Sequence, residues 1–105
     1  MPERILVVED EELLRRNLVR FLEQEGHVVR GFASAEEAEA AIAEEDFGVA
    51  VLDLRLPGRD GISLAADLAQ RSPDTMILMM TAYGSVDSVI DALHKGVHDY
   101  MLKPV

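Results

Sequence analysis

The chain contains no cysteine and no long apolar run, and it has no signal-peptide-like start. The absence of cysteine excludes a disulfide scaffold and a thiolate metal site, and it is compatible with a reducing compartment. No apolar stretch approaches the roughly 20 residues that a membrane-spanning helix needs. Residues 1–4 lead directly into a strand-like segment, without the apolar core of a secretion signal. We therefore expect a soluble, cytoplasmic protein that does not contact the membrane.

Basic residues are also scarce: 10 Lys and Arg stand against 20 Asp and Glu, for a net charge of -10. This charge repels phosphate backbones and anionic lipids but attracts divalent cations and basic partner surfaces. We expect no direct nucleic-acid binding by this domain. The 105 residues, 49% of them hydrophobic, are enough for one domain with a packed core and leave no room for two.

Short apolar runs alternate with amphipathic segments along the chain. The runs predict strands over 5–8, 27–32, 49–53, 75–80 and 98–102, and the 3.6-residue patterns between them predict helices over 11–25, 35–45, 62–71 and 85–95. Gly26 stands where a C-cap belongs, and Ser34 and Glu37 form a capping-box pattern. This alternation predicts an α/β fold: a flavodoxin-like, doubly wound parallel sheet of five strands in the order 2-1-3-4-5.

Polar residues follow four of the five predicted strands. In a doubly wound sheet, the ligand site lies beyond the carboxyl ends of the strands. The residues at these ends are Glu9, Asp10, Asp53, Thr81 and Lys103. Each has an ordinary alternative: an acidic helix start for the first two, a loop-satisfying hydroxyl for Thr81 and an exposed edge residue for Lys103. Asp53 is the strongest candidate, since it ends an apolar run where an unpaired charge is costly.

The charges of this set favour a magnesium site. Three carboxylates and one ammonium leave a formal charge of -2, which a hard divalent cation such as Mg²⁺ cancels. Zinc and copper are disfavoured, because cysteine is absent and no histidine lies near this edge. His94 and His98 are four residues apart, but Gly96 interrupts the helix between them.

A carboxylate beside Mg²⁺ and a lysine can act as a nucleophile toward a phosphoryl group, since it needs no general base. The metal and Lys103 would offset the charge of the transferring group, and Thr81 can donate a hydrogen bond to it. The product would be an aspartyl phosphate, which carries about -2 in place of -1 and can therefore act as a switch input.

Four segments together resemble the receiver domains of two-component response regulators, along essentially the whole chain. They are "ILVVEDEE", "VLDLRLPGRDG", "MMTAYGS" and "DYMLKP". The resemblance implies a phosphorylation-dependent signalling switch in which Asp53 accepts a phosphoryl group from a sensor histidine kinase or a phosphotransfer protein. It also implies a signalling domain and not an enzyme, although the domain assists its own phosphotransfer and dephosphorylation.

The same resemblance assigns roles to the other residues. Asp10 is the expected direct Mg²⁺ ligand, Glu9 its partner through water, and the backbone carbonyl of Arg55 completes the set with Asp53. Thr81 is expected to be the switch hydroxyl and Tyr100 the switch aromatic, although Tyr100 can also be a packed strand residue. Lys103 is expected to contact the phosphoryl group, and Ala82 matches the small residue beside the switch hydroxyl.

The chain departs from the family pattern in two places. Glu9 stands where aspartate is commonest, which keeps the charge but lengthens the side chain. The family also has a fifth helix after the Lys-Pro step, and the chain given ends at Val105 without it. We therefore expect residues 1–105 to be the receiver domain of a longer response regulator. The segment "MTAYGSVDSV" is most similar to receivers of enhancer-binding transcriptional activators, so the expected output is transcription. A homodimer through the fourth helix and fifth strand is a further expected partner arrangement.

Two other functions stay open at this point. A pseudo-receiver is an interaction module of the same fold that is never phosphorylated, but it usually lacks the acidic pair or the lysine that this chain keeps. A magnesium-dependent phosphohydrolase with an aspartyl nucleophile would need a second aspartate two residues after the first, where this chain has Arg55.

Overall fold

The structure is a computed structural model that describes residues 3–53, 56, 61–81 and 99–102, with Thr81 and the last range described by their backbone. The strands are β1 (Arg4–Val8), β2 (Val28–Phe32), β3 (Val49–Asp53), β4 (Met76–Thr81) and β5 (Asp99–Leu102). The helices within this part of the chain are α1 (Glu12–Gln24), α2 (Ala35–Glu44) and α3 (Gly61–Arg71). The helix predicted over 85–95 lies outside the described residues.

The five strands form one parallel sheet in the order β2-β1-β3-β4-β5, which confirms the predicted doubly wound α/β fold. From β1 the chain crosses to β2 on one side and then returns to β3 on the other. The switch point therefore lies between the carboxyl ends of β1 and β3, where such sheets bind their ligands. In register, Val8 is level with Leu52, and Asp53 is level with Met80.

The sheet is covered on two faces, which explains why its central strands are continuously apolar. On one face, side chains of β1, β3 and β4 pack against the alanines of α2 and the leucines of α3. On the other face, Ile5, Val7, Val51 and Met80 pack near the half-buried apolar residues of α1. Phe21 of α1 is 57% exposed, although its spacing places it beside the apolar positions of that helix.

Both helix-end signals in the sequence have the expected local structure. Gly26 has a φ of 95°, and its N–H donates to the Glu23 carbonyl at 3.0 Å. The N–H of His27 donates to the Leu22 carbonyl at 3.2 Å, which completes a Schellman motif. At the start of α2, the Ser34 hydroxyl accepts from the Glu37 N–H at 3.3 Å, while the Glu37 carboxylate accepts from Ala33, one residue earlier than in a standard capping box.

β4 begins at Met76, one residue later than the predicted range of 75–80, because Thr75 is part of the corner that precedes it. Thr75 is 2% exposed, and its hydroxyl donates to the Phe47 carbonyl at 2.6 Å. The Ser72 and Thr75 hydroxyl oxygens are 2.7 Å apart. The hydroxyl contact thereby fixes the corner after α3 to the segment just before β3. At its other end, β4 extends to Thr81. No helix in the described part of the chain is long and apolar enough to cross a membrane.

We expect Gly26→Ala to lower the free energy of unfolding by about 1 kcal/mol, because a side chain is disfavoured at positive φ. Nothing lies within 4 Å of a Cβ placed at Gly26, so the loss comes from the backbone and not from a clash. Thermal melting measures it as a decrease of roughly 4–8 °C. Gly26→Asn, which tolerates this conformation better, should lose less. Equal melting temperatures for the alanine variant and the parent protein would contradict the assignment.

We expect Thr75→Val to cost about 1–3 kcal/mol, because it leaves the buried Phe47 carbonyl without its hydroxyl donor. Urea unfolding of this variant and of Thr75→Ser provides the measurement. The serine variant keeps the hydroxyl and loses only a methyl group, so it should stay closer to the parent. If serine costs stability and valine does not, methyl packing and not the hydrogen bond holds this corner.

Candidate functional site

Three carboxylates meet at the switch point of the sheet. Glu9 directly follows β1, Asp10 follows Glu9, and Asp53 is the last residue of β3. One carboxylate oxygen from each lies within 4.8 Å of the other two. Glu9 is 0% exposed, Asp53 is 4% exposed and Asp10 is exposed, so the cluster opens to solvent on the Asp10 side.

The backbone around Glu9 is held on both sides. Its N–H donates to the Phe32 carbonyl at 3.0 Å, which extends the pairing of β1 with β2 by one residue. Its carbonyl accepts from the Arg15 guanidinium at 2.8 Å. The Oε2 atom of its carboxylate accepts from the Glu11 N–H at 2.9 Å. Glu9 is therefore fixed through both its main chain and its side chain.

The first turn of α1 faces this loop. Glu11 occupies the N-cap position but makes no side-chain capping bond, and the Arg15 N–H donates to the Glu11 carbonyl at 2.9 Å. The amino end of a helix carries a partial positive charge, which favours nearby carboxylates. The local fold thus offsets part of the negative charge that Glu9 and Asp10 bring to the site.

The electrostatics and the donor atoms of the cluster fit a hard divalent cation. Carboxylates this close repel one another, and burial removes the water that would otherwise stabilise Glu9 and Asp53. A bound Mg²⁺ or Ca²⁺ opposes both effects, and such ions prefer oxygen ligands. All three side chains supply oxygen, so the residues present suit these ions better than a softer metal.

The other residues of the predicted site differ in how far the structure describes them. Thr81 is the last residue of β4, one position past the Met80 that pairs with Asp53, and it pairs with Leu102 of β5. Tyr100 lies on β5 and pairs with Met79. Arg55, Ala82, Lys103 and the fourth predicted helix lie outside the described residues. The structure thus brings Glu9, Asp10 and Asp53 together, and the roles of the predicted residues stay predictions.

Two residues near the site are not among those selected from the sequence. Arg15 reaches the Glu9 carbonyl from α1, and Gly31 of β2 lies against the same helix. A Cβ placed on Gly31 would lie 2.9 Å from Val19 Cγ2 and 3.4 Å from Arg15 Cγ. A glycine inside a strand pattern is a recognised sign of close backbone approach, so Gly31 carried a usable signal. Arg15 carried none, because its partner is a backbone carbonyl.

Comparison with known proteins gives the same family throughout. The family model for the response regulator receiver domain matches residues 5–105. The two-component response regulator PhoP of Pseudomonas aeruginosa is 41% identical over 101 residues, which cover 96% of this chain and 45% of that protein. The transcriptional regulatory protein TcrA of Mycobacterium tuberculosis is 44% identical over 101 residues, or 96% of this chain and 40% of that protein. The chain thus spans less than half the length of these relatives.

Solved structures agree. A CheY-like response regulator receiver domain protein from Methanospirillum hungatei superposes with a TM-score of 0.96 at 32% identity, covering 100% of this chain and 84% of that one. A response regulator from Burkholderia pseudomallei, solved with a phosphorylated aspartic acid, a calcium ion and citrate, gives a TM-score of 0.94 at 34% identity, covering 98% of this chain and 61% of that one. With the sheet order, the acidic cluster and the family match in agreement, this chain belongs to the response regulator receiver domain family.

Proposed function

We propose that the chain is a phosphorylation-dependent signalling switch whose phosphoacceptor is Asp53. The observation that carries this proposal is the position of Asp53, which ends β3 at the switch point with two further carboxylates within 4.8 Å. A structural carboxylate has no need of two acidic neighbours, whereas a phosphoryl acceptor that works with a cation does. The phosphorylated aspartic acid of the Burkholderia pseudomallei relative supports the same chemistry for this family.

The proposed reaction is transfer from a phosphohistidine of a sensor kinase or phosphotransfer protein. An Asp53 carboxylate oxygen attacks phosphorus and forms the P–O bond of an acyl phosphate, while the P–N bond to the donor breaks and the imidazole leaves with the electron pair. Hydrolysis of the acyl phosphate later returns the free carboxylate and inorganic phosphate. The domain thus assists its own phosphorylation and dephosphorylation, and its role is signalling.

The proposed metal ligands are Asp10, Asp53 and the backbone carbonyl of Arg55, with Glu9 acting through water. Bound there, Mg²⁺ supplies positive charge that offsets the charge on the phosphoryl oxygens. The calcium ion of the Burkholderia pseudomallei relative, together with the all-oxygen set here, supports a hard divalent cation. Lys103 is proposed to contribute a further positive charge from the end of β5.

The proposed switch runs from Asp53 to β4 and β5. Thr81 and Tyr100 are the proposed switch residues, the first engaging the phosphoryl group and the second following it. Their support is positional, because β4 is the direct neighbour of β3 and β5 the direct neighbour of β4. The resulting change would alter the surface of the fourth predicted helix and β5, through which a partner or a second copy of the chain would bind.

The proposed context is a two-component pathway with a transcriptional output. PhoP is described as a two-component response regulator and TcrA as a transcriptional regulatory protein, and both are more than twice as long as the matched segment. We propose that residues 1–105 are the receiver domain of such a longer regulator and act in the cytoplasm. The net charge of -10 favours contact with basic protein surfaces over direct contact with nucleic acid.

Incubation of the protein with acetyl phosphate and Mg²⁺ should add one phosphoryl group, detected by intact-protein mass spectrometry. Asp53→Asn should abolish the adduct, because an amide nitrogen or oxygen does not form the acyl phosphate. Asp46→Asn is the matched control: it removes an exposed carboxylate at the opposite end of β3 and should be phosphorylated normally. A parent protein that forms no adduct, or an Asp53→Asn variant that keeps it, contradicts the receiver function and favours the interaction-module alternative.

Asp10→Asn should weaken Mg²⁺ binding by at least about tenfold in a calorimetric titration, because it removes a unit charge next to a divalent cation. Without divalent cations the same variant should melt at a higher temperature than the parent, since one of three mutually repelling carboxylates becomes neutral. Glu11→Gln is the control, because it removes the adjacent exposed charge and keeps the backbone N–H that donates a hydrogen bond to the Glu9 carboxylate. If both variants change Mg²⁺ affinity equally, the cluster is a diffuse acidic surface and not a metal site.

A further inference from the structure

The loop that joins β1 to α1 is closed by a single residue at both of its ends. Residues 9–11 form this loop and carry two of the three clustered carboxylates. The Arg15 guanidinium donates to the Glu9 carbonyl at 2.8 Å, and the Arg15 N–H donates to the Glu11 carbonyl at 2.9 Å. Asp10 lies between these two points: the Arg15 side chain holds the first, and the second is the opening i→i−4 backbone bond of α1.

The stem of the Arg15 side chain packs beside Gly31. A Cβ on Gly31 would lie 3.4 Å from Arg15 Cγ and 3.5 Å from Arg15 Cδ, and only 2.9 Å from Val19 Cγ2. α1 and the stem of Arg15 therefore pack directly over the backbone of β2. A side chain at position 31 would have to push Val19 away and would touch the Arg15 stem at ordinary van der Waals distance.

We propose that Arg15 is a positioning residue for the divalent cation, holding Glu9 and Asp10 in the arrangement that binds it without touching the metal or the phosphoryl group. This inference rests on the metal site of the proposed function. Three carboxylates within 4.8 Å repel one another, so an unrestrained loop would relax outward before a cation arrives. A charge-assisted hydrogen bond to the Glu9 carbonyl opposes that movement. Residues that hydrogen-bond to metal ligands without contacting the metal commonly contribute about 10–100-fold to metal affinity.

The sign of the effect separates positioning from simple electrostatics. Arg15 is a cation, so Coulomb repulsion alone makes its removal strengthen Mg²⁺ binding. If Arg15 positions the loop, its replacement instead weakens Mg²⁺ binding, because the hydrogen bond to the Glu9 carbonyl is lost. Arg16 is the matched control because it is the next residue on α1, its side chain is 65% exposed, and its guanidinium lies 4.0 Å from Glu12.

The experiment measures the Mg²⁺ dissociation constant of the parent, Arg15→Met and Arg16→Met by titration calorimetry, at a temperature where circular dichroism shows all three folded. Both variants lose one positive charge, and methionine keeps an unbranched stem over Gly31. We expect the dissociation constant to rise about tenfold for Arg15→Met and to stay level or fall slightly for Arg16→Met. Arg15→Lys, which keeps a charged donor, should recover part of the loss.

Phosphorylation by acetyl phosphate gives a second readout. In Arg15→Met, the Mg²⁺ concentration for half-maximal rate should rise about as much as the dissociation constant, while the maximal rate falls less. Gly31→Ala, which displaces Val19 of α1 and keeps the arginine, should shift the same concentration upward to a smaller extent.

Two results overturn the inference. If Arg15→Met binds Mg²⁺ as tightly as Arg16→Met while Asp10→Asn still weakens binding, the metal site stands and Arg15 does not position it. If the parent binds no Mg²⁺, or Asp10→Asn has no effect on binding, the metal site itself fails and the role of Arg15 fails with it.

Discussion

The mutual repulsion of Glu9, Asp10 and Asp53 is the constraint around which this domain is arranged. Their carboxylates lie within 4.8 Å of one another, and two of the three are buried. Such a cluster is unfavourable by itself, so the surrounding backbone has to hold it against the tendency to separate. The strand pairing extended past β1, the amino end of α1 and the Arg15 side chain all act on the loop that carries Glu9 and Asp10. The close approach of these carboxylates lowers stability at the switch point, where doubly wound sheets bind their ligands.

The fold and the acidic cluster could be predicted from sequence because both depend on short-range patterns. Apolar runs and helical spacing determine the parallel sheet, and in such a sheet the residues that follow β1 and β3 must meet. The predicted start of β4 was one residue early: the apolar run begins at Met76, and the prediction added β-branched Thr75, which the buried hydroxyl contact with Phe47 places in a corner. Arg15 was missed for another reason: its side chain bonds to a backbone carbonyl, which every residue type carries, so the sequence does not mark the partner.

The two ends of the sheet differ in how they combine charge with burial. At the amino end of β1, Arg4 pairs with Glu45, which also pairs with Arg30, so opposite charges meet at a partly exposed surface. At the carboxyl end, like charges meet and are largely withdrawn from solvent. The ion pairs of Glu45 join the end of α2 to β1 and β2, and their opposite charges balance locally. The second arrangement brings three carboxylates within 4.8 Å of one another at the switch point, which is the arrangement on which the proposed cation site is based.

The strand order also sets the distance that the proposed switch would have to cover. Asp53 is level with Met80, Met80 is level with Met101, and Tyr100 lies one residue before Met101 on β5. β3 and β5 are separated by two strand spacings, which amounts to about 10 Å. In the proposed switch, phosphorylation at the end of β3 would therefore be separated from β5 by one intervening strand. The backbone hydrogen bonds that join β3 to β4 and β4 to β5 would also be the most direct route by which a shift at Asp53 reaches β5.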